Sequence, residues 1–250
     1  MPSAVRLGGG RTRVFAPSPA VTLVALVLAA LFVRLGVWQW QRGESRQEEW
    51  TRYARGADQL HALDARPTSE VPLFQRVSVS GRLDSTHQFL LDNRTHEGRP
   101  GYEVLTPLVR ADAPALLIDR GWVPFTGSRA RLPAVDFAAP PTVMLTGRVA
   151  MLPSPGLALG RAAPAADASW PKVTSYPDMT WLASALGVPL EPRIVLLDPG
   201  APFGYVREWQ APGLSPLRHF SYAVQWWSFA ALALIGWLVM SRRPAPEGGR

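Results

Sequence analysis

The chain of 250 residues contains no cysteine. That absence excludes disulfide scaffolding, thiolate zinc, iron–sulfur clusters and thiol-based copper delivery. It leaves the compartment open. Charge is scarce as well: 18% of residues are charged, below the roughly 25% usual in soluble domains. Lysine is nearly missing, with Lys172 alone among 26 basic residues, and histidine is limited to four. No Gly-rich phosphate loop, nucleophile elbow or acid pair stands out. No motif therefore favours an enzyme.

What is present is apolar and basic. Hydrophobic residues make up 47% of the chain and mean hydropathy is +0.02, which argues against intrinsic disorder. The net charge is +7. The arginines are scattered, without a dense stripe or a nucleic-acid motif, so they describe a solvated basic surface and no nucleic-acid partner.

Two apolar runs are long enough to cross a bilayer. Residues 20–38 begin with an uncharged stretch and end at Arg34, whose long side chain can reach the interface, and at Trp38 and Trp40 in an aromatic belt. The second span, residues 216–240, has Ser215 as its expected N-cap and Pro216 as its first helical residue, and stops at Arg242 and Arg243. Leu35-Gly36-Val37-Trp38 makes a poor signal-peptidase site, so the first span is expected to remain as a helix. Two spans put both termini on one side, and the C-terminal arginines favour the cytoplasm. The expected order is a cytoplasmic tail (1–19), a transmembrane helix (20–38), an extracytoplasmic domain (39–215), a second transmembrane helix (216–240) and a cytoplasmic tail (241–250).

The middle changes period. Val77, Val79, Gly81 and Leu83 alternate with Ser78, Ser80 and Arg82; Val143, Leu145, Gly147 and Val149 alternate with Met144, Thr146 and Arg148. Such alternation predicts half-buried strands, with a bulge or bend at each glycine. Further strands are expected over 88–93, 102–109, 115–123 and 193–198. The first helix is expected to continue past the membrane toward Leu60. The stretch 152–170, rich in Pro, Ala and Gly, is expected to be a surface loop. One short helix over 178–186, capped by Asp178 and ended by Gly187, completes a mostly β (α+β) domain between two membrane helices.

His87 and His96, near Asp84 and Asp92, match no metal spacing, and exposed polar residues around a strand connection account for them. His219 differs. It lies in the first turn of the second span, with Tyr222 at i+3 and Trp226 at i+7 on one helix face. An imidazole at an apolar boundary walled by aromatic rings suits axial ligation of haem iron. An ordinary interfacial histidine in an aromatic belt fits the same residues, and from residues alone it is the simpler reading.

The motifs, taken in order, resemble the surfeit locus protein family of cytochrome c oxidase assembly factors. Leu35-Gly36-Val37-Trp38-Gln39-Trp40-Gln41-Arg42 is similar to its Leu-Gly-x-Trp-Gln-x-x-Arg signature. Asp92-Asn93-Arg94 and Gly101-Tyr102-Glu103-Val104-Leu105-Thr106-Pro107-Leu108 match its central stretch. Asp119-Arg120-Gly121-Trp122-Val123-Pro124 contains its Arg-Gly-Trp-Val-Pro. His219-Phe220-Ser221-Tyr222-Ala223-Val224-Gln225-Trp226-Trp227 is similar to its His-x-x-Tyr-Ala-x-x-Trp-Phe ending, with Trp227 as the final aromatic.

The resemblance implies a multi-pass protein of the cell (inner) membrane that helps to mature a haem–copper terminal oxidase and is not itself an enzyme. It implies binding of haem A and its delivery to cytochrome c oxidase subunit I, alongside other assembly factors. His219 is the implied axial ligand, Tyr222 and Trp226 the implied wall on its helix, and Trp38, Gln39 and Arg42 the opposite wall. Arg120, Gly121, Trp122, Pro124, Gly101 and Tyr102 are expected to fix strands and turns. The alternative is a membrane-anchored scaffold that holds oxidase subunits without haem.

Overall fold

The computed structural model describes residues 13–153 and 169–244. In chain order its elements are β1 (Arg13–Phe15), α1 (Pro19–Arg55), β2 (Leu60–Ala62), β3 (Arg76–Leu83), β4 (Phe89–His96), β5 (Arg99–Val109) and β6 (Leu116–Pro124). They continue with β7 (Val143–Ala150), β8 (Lys172–Thr174), α2 (Met179–Leu186), β9 (Ile194–Leu197), α3 (Pro216–Met240) and β10 (Arg242–Pro244). Two compact units result: a helical unit through Glu49 and from Gly213 onward, and a β unit over Trp50–Pro212. The sequence-based borders at 38/39 and 215/216 mark the ends of the apolar runs and fall within the helical unit. Most of the expected loop at 152–170, and parts of both terminal tails, lie outside the described residues.

In the helical unit, Thr22, Ala25, Ala29, Phe32, Gly36, Gln39 and Gly43 of α1 recur in alternating steps of three and four, and all are buried or half-buried. On α3, Pro216, Ala223, Ala230 and Trp237 recur at heptad spacing and are buried or half-buried too. This is the seam of two antiparallel helices. Small residues on α1 leave room for the aromatic rings of α3. A Cβ on Gly36 would lie 2.3 Å from Trp227 Nε1, and one on Gly43 would lie 2.6 Å from the Phe220 ring. Contacts along the seam run in opposite directions: Trp237 Nε1 donates to Thr22 Oγ1 at 2.9 Å, and Phe32 stacks on Trp226 with ring centroids 5.7 Å apart. Side chains pointing away from the seam, such as Leu23, Val27, Leu232 and Ile235, are apolar and exposed. Apolar residues facing outward all along two long helices are what hydrocarbon solvates. The protein is therefore a membrane protein, with two transmembrane helices flanking a mostly β domain. Pro216 opens α3 as expected. The Ser215 side chain makes no capping hydrogen bond, and its carbonyl accepts from Arg218 N instead. Beyond the helices, β1 and β10 pair antiparallel, joining Arg13–Phe15 to Arg242–Pro244.

In the β unit the strand order is β2-β3-β7-β9-β6-β5-β4-β8, and β3 also pairs with β5. That extra pairing, Arg82 with Val109 and Leu83 with Leu108, closes β3, β7, β9, β6 and β5 into a five-stranded barrel, with β4 continuing along the edge of β5. Val77, Val79, Leu83, Leu108, Leu116, Ile118, Leu145, Val149, Val195 and Leu197 fill it. The alternation in β3 and β7 is as the sequence predicts, and these two strands are antiparallel neighbours in an unbroken register. The bulges expected at Gly81 and Gly147 are absent from that register. These glycines serve close approach: a Cβ on Gly147 would lie 2.3 Å from Leu196 O, and one on Gly81 2.6 Å from Val109 O. The register shifts fall in β4 between Leu91 and Arg94 and in β5 between Glu103 and Leu105. Asn93 has φ 61° within the first of them, a conformation that asparagine tolerates. Glu97 and Gly98, both with positive φ, form the two-residue turn between β4 and β5. Gly101 and Tyr102 lie inside β5 rather than at a turn.

The strand β6 is buried on both faces. Leu116 and Ile118 enter the barrel, while Leu117 joins a second cluster with Phe89, Leu91, Leu105 and Leu182. That cluster is covered by α2, which starts and stops as expected. Asp178 accepts from Trp181 N, and Gly187 adopts φ 70°.

Candidate functional site

His219 sits on the first turn of α3, half-buried, and its Nδ1 lies 3.0 Å from Gln39 Oε1 on α1. The hydrogen bond crosses the helix seam at a d-type position of the α1 heptad, which is why an amide in an otherwise apolar and small-residue seam finds a partner. With Nδ1–H donating to the amide oxygen, the lone pair resides on Nε2. Nε2 has no hydrogen-bond partner among the described residues. Below this pair the seam is aromatic. Trp226 stacks on Phe32 and meets Phe229 edge-on, while Trp40 packs against Phe220 and Trp227.

The other residues of the proposed walls stand differently. Trp38 and Tyr222 are 57% and 51% exposed. Arg42 is exposed. None of the three makes a hydrogen bond, ion pair or ring contact among the described residues. The structure thus brings His219 and Gln39 together and engages Trp226 in helix packing. It leaves Trp38, Tyr222 and Arg42 open. Phe32, Phe229 and Gly36 belong to the same seam; Gly36 stands in the first sequence motif, heptad spacing is the signal that finds Phe32, and Phe229 lies off the α3 heptad.

Buried polar networks occur among the described residues of the β unit. In one, Arg120 Nη1 donates to Gln88 Oε1 at 2.7 Å and to Thr106 Oγ1 at 3.3 Å, and Nε donates to Phe203 O at 2.5 Å. Its guanidinium lies 3.9 Å from the centre of the Phe137 ring and 4.8 Å from that of Tyr205. Burial lowers the Arg120 pKa from its ordinary value, opposed by Tyr205. Thr106 and Arg120 come from two separate sequence motifs and meet at Gln88. Next to Arg120, Asp119 is fully buried: Oδ1 accepts from Gly121 N at 3.0 Å, and Oδ2 has no hydrogen-bond partner among the described residues. Desolvation, reinforced by the Glu103 carboxylate, pushes the Asp119 carboxyl well above its usual range. Arg94 Nε lies 3.1 Å from Glu103 Oε2 but at an angle too poor for a hydrogen bond. In another network, Arg110 pairs with Glu191, which also accepts from Thr68 N and Oγ1 at 2.8 and 2.9 Å. These networks are structural, in line with the packing roles expected of Arg120 and Gly121, and Tyr102 is buried in a separate apolar cluster.

His87 Nδ1 lies 2.8 Å from Asp84 Oδ2, and the His96 ring packs on Trp122. His61 is exposed on β2. Among the described residues there is no group of three or more metal-type ligands.

The SURF1 family model matches residues 26–231, most of the chain. SURF1-like proteins of Mycobacterium bovis and of two strains of Mycobacterium tuberculosis are each 30% identical over 229 residues, covering 87% of this chain and 82% of theirs. The matched span contains the whole barrel and most of both helices of the seam, so the chain belongs to the SURF1 family, a family of cytochrome oxidase assembly factors.

Proposed function

We propose that the protein binds haem A through His219 and assists its insertion into subunit I of cytochrome c oxidase, in concert with other assembly factors. The observation that supports this most is the His219–Gln39 hydrogen bond. A ligating histidine works best when its second nitrogen is tied to an acceptor, which fixes ring orientation and tautomer. Gln39 does that here and leaves Nε2 with the lone pair. The residues fit the group: one oriented imidazole at the end of an apolar span, next to exposed rings. Haem A, when bound, supplies the iron, two propionates and a long apolar tail. Tyr222 and Trp38 offer ring faces to a planar ligand, Trp226 forms the floor, and the free Arg42 guanidinium pairs with a carboxylate.

The same reading places the protein in the cell membrane with both termini cytoplasmic and the β domain extracytoplasmic. An even number of spans puts the ends on one side, and the pairing of β1 with β10 brings them together. Arg242 and Arg243 then lie on the cytoplasmic side.

A scaffold without haem is the second reading. It is favoured by one observation: Trp226 is already packed against Phe32 and Phe229. Protein produced alongside haem A synthesis separates the two. Haem binding gives a chromophore that His219→Ala removes. A colourless protein that co-purifies with subunit I supports the scaffold.

A further inference from the structure

On the outer face of the barrel, Arg76 of β3 and Arg148 of β7 are directly opposite each other in the strand register. Like charges in that position repel. The protein separates them by sending each to a different partner. Arg76 Nε donates to Asp198 Oδ2 at 2.7 Å. Arg148 Nη1 donates to Tyr53 O at 2.8 Å, with its guanidinium 4.5 Å from the Tyr53 ring centre. Neither arginine is saturated. Both Nη groups of Arg76, and Nε and Nη2 of Arg148, have no hydrogen-bond partner among the described residues.

Both arginines line a cleft of about 600 Å³, together with Thr146, Met144, Ala57 and the 198–202 loop. The loop wall is fixed in advance. Arg207 holds three of its carbonyls, donating to Asp198 O at 2.7 Å, Pro199 O at 2.8 Å and Ala201 O at 2.9 Å. Two guanidinium groups and one carboxylate leave the lining one positive charge in excess. Apart from these groups and Thr146, the lining is apolar or backbone. At its other side the cleft reaches Met144, 72% exposed, which also borders a separate, polar hollow of about 280 Å³ lined by Asp64, Ser78, Ser80, Arg110 and Asp112.

We propose that this cleft is a binding site for a monocarboxylate with an apolar body. The carboxylate bridges Arg76 and Arg148 and supplies the missing negative charge, and the apolar part lies within the cleft along Met144, Pro199, Ala201 and Pro202. A fork of N–H donors on each side suits a two-oxygen acid. One excess charge favours a monoanion over phosphate, and the volume is that of an ordinary small-molecule site.

The test uses the full chain in lipid nanodiscs and carboxyl-labelled octanoate followed by NMR. Saturable binding is expected. Arg148→Gln should weaken it about tenfold or more, the loss of one charged hydrogen bond. Met144→Glu changes an exposed residue that partners neither arginine, so it keeps the fold while placing a negative charge on the wall; it should weaken binding similarly. Arg99→Gln, at the start of β5 and outside the cleft lining, and His219→Ala should leave binding unchanged, which keeps this site separate from the haem reading. Non-saturable partition, as octanol shows, would overturn the proposal. Inorganic phosphate competing as well as octanoate would overturn the choice of ligand. Binding indifferent to both Arg148→Gln and Met144→Glu, or lost in His219→Ala, would place the ligand elsewhere and overturn it too.

Discussion

Gly36 on α1 leaves the space that the Trp227 ring of α3 occupies: a Cβ at Gly36 would come within 2.3 Å of Nε1 and 2.5 Å of Cδ1. The glycine of the first sequence motif and an aromatic of the last are thus one packing unit. Gly36→Val forces the ring out of the seam. Overpacking of this kind costs about 1–3 kcal/mol. The thermal midpoint of the purified protein should fall, and adding Trp227→Ala should recover part of the loss. Val37→Ala, at an exposed neighbouring position, should change little.

Glu191 is the partner on which Arg110 depends. Their side chains are 3% and 4% exposed. Removing one member of such a pair leaves a buried charge uncompensated, at a cost of about 3–5 kcal/mol. Glu191→Ala should therefore destabilise the β unit severely, and also strand Thr68 N and Oγ1. Glu191→Gln keeps an acceptor and should lose less. Thermal unfolding followed by tryptophan fluorescence ranks the two variants.

Asp119 predicts the opposite sign. Its folded pKa is raised by burial, and the nearby Glu103 charge adds to the shift. The folded state then holds a proton that the unfolded chain has lost. Stability should fall as pH rises from the unfolded carboxylate pKa of roughly 3.9 toward the folded value. Asp119→Asn keeps the acceptor for Gly121 N and carries no charge. It should raise the midpoint at neutral pH, and the advantage should shrink as pH approaches 4. Midpoints of both proteins across pH 4–8 check this; an Asn variant less stable at neutral pH would contradict it.

Local chemistry made much of the fold legible. The spans, the Asp178–Gly187 helix and the alternating strands around Val77 and Val143 each follow from neighbours in sequence. Barrel closure does not, because the pairing of Leu83 with Leu108 depends on how far β5 extends beyond its bulge. The short strands β2 and β8, three residues each, are too brief for a period to show. Gly81 and Gly147 illustrate a limit of the glycine signal: the missing Cβ marked an approaching backbone, not a bulge. At the site, His219 and its helix-mates were visible from i+3 and i+7 spacing. Its bond to Gln39 was not, since it joins residues 180 apart. Glu191 and Arg110 were missed for the same reason. Nothing local marks two buried charges as partners across the fold.

The central claim, an oriented His219 imidazole that ligates haem A, is tested most directly by one comparison. Wild type and His219→Ala are purified after production alongside haem A synthesis, and their visible absorption spectra and extracted pigments are measured. Haem A should be present in the wild type and lost in His219→Ala, and Gln39→Ala should show a reduced or shifted spectrum. An identical haem spectrum in wild type and His219→Ala would contradict the claim.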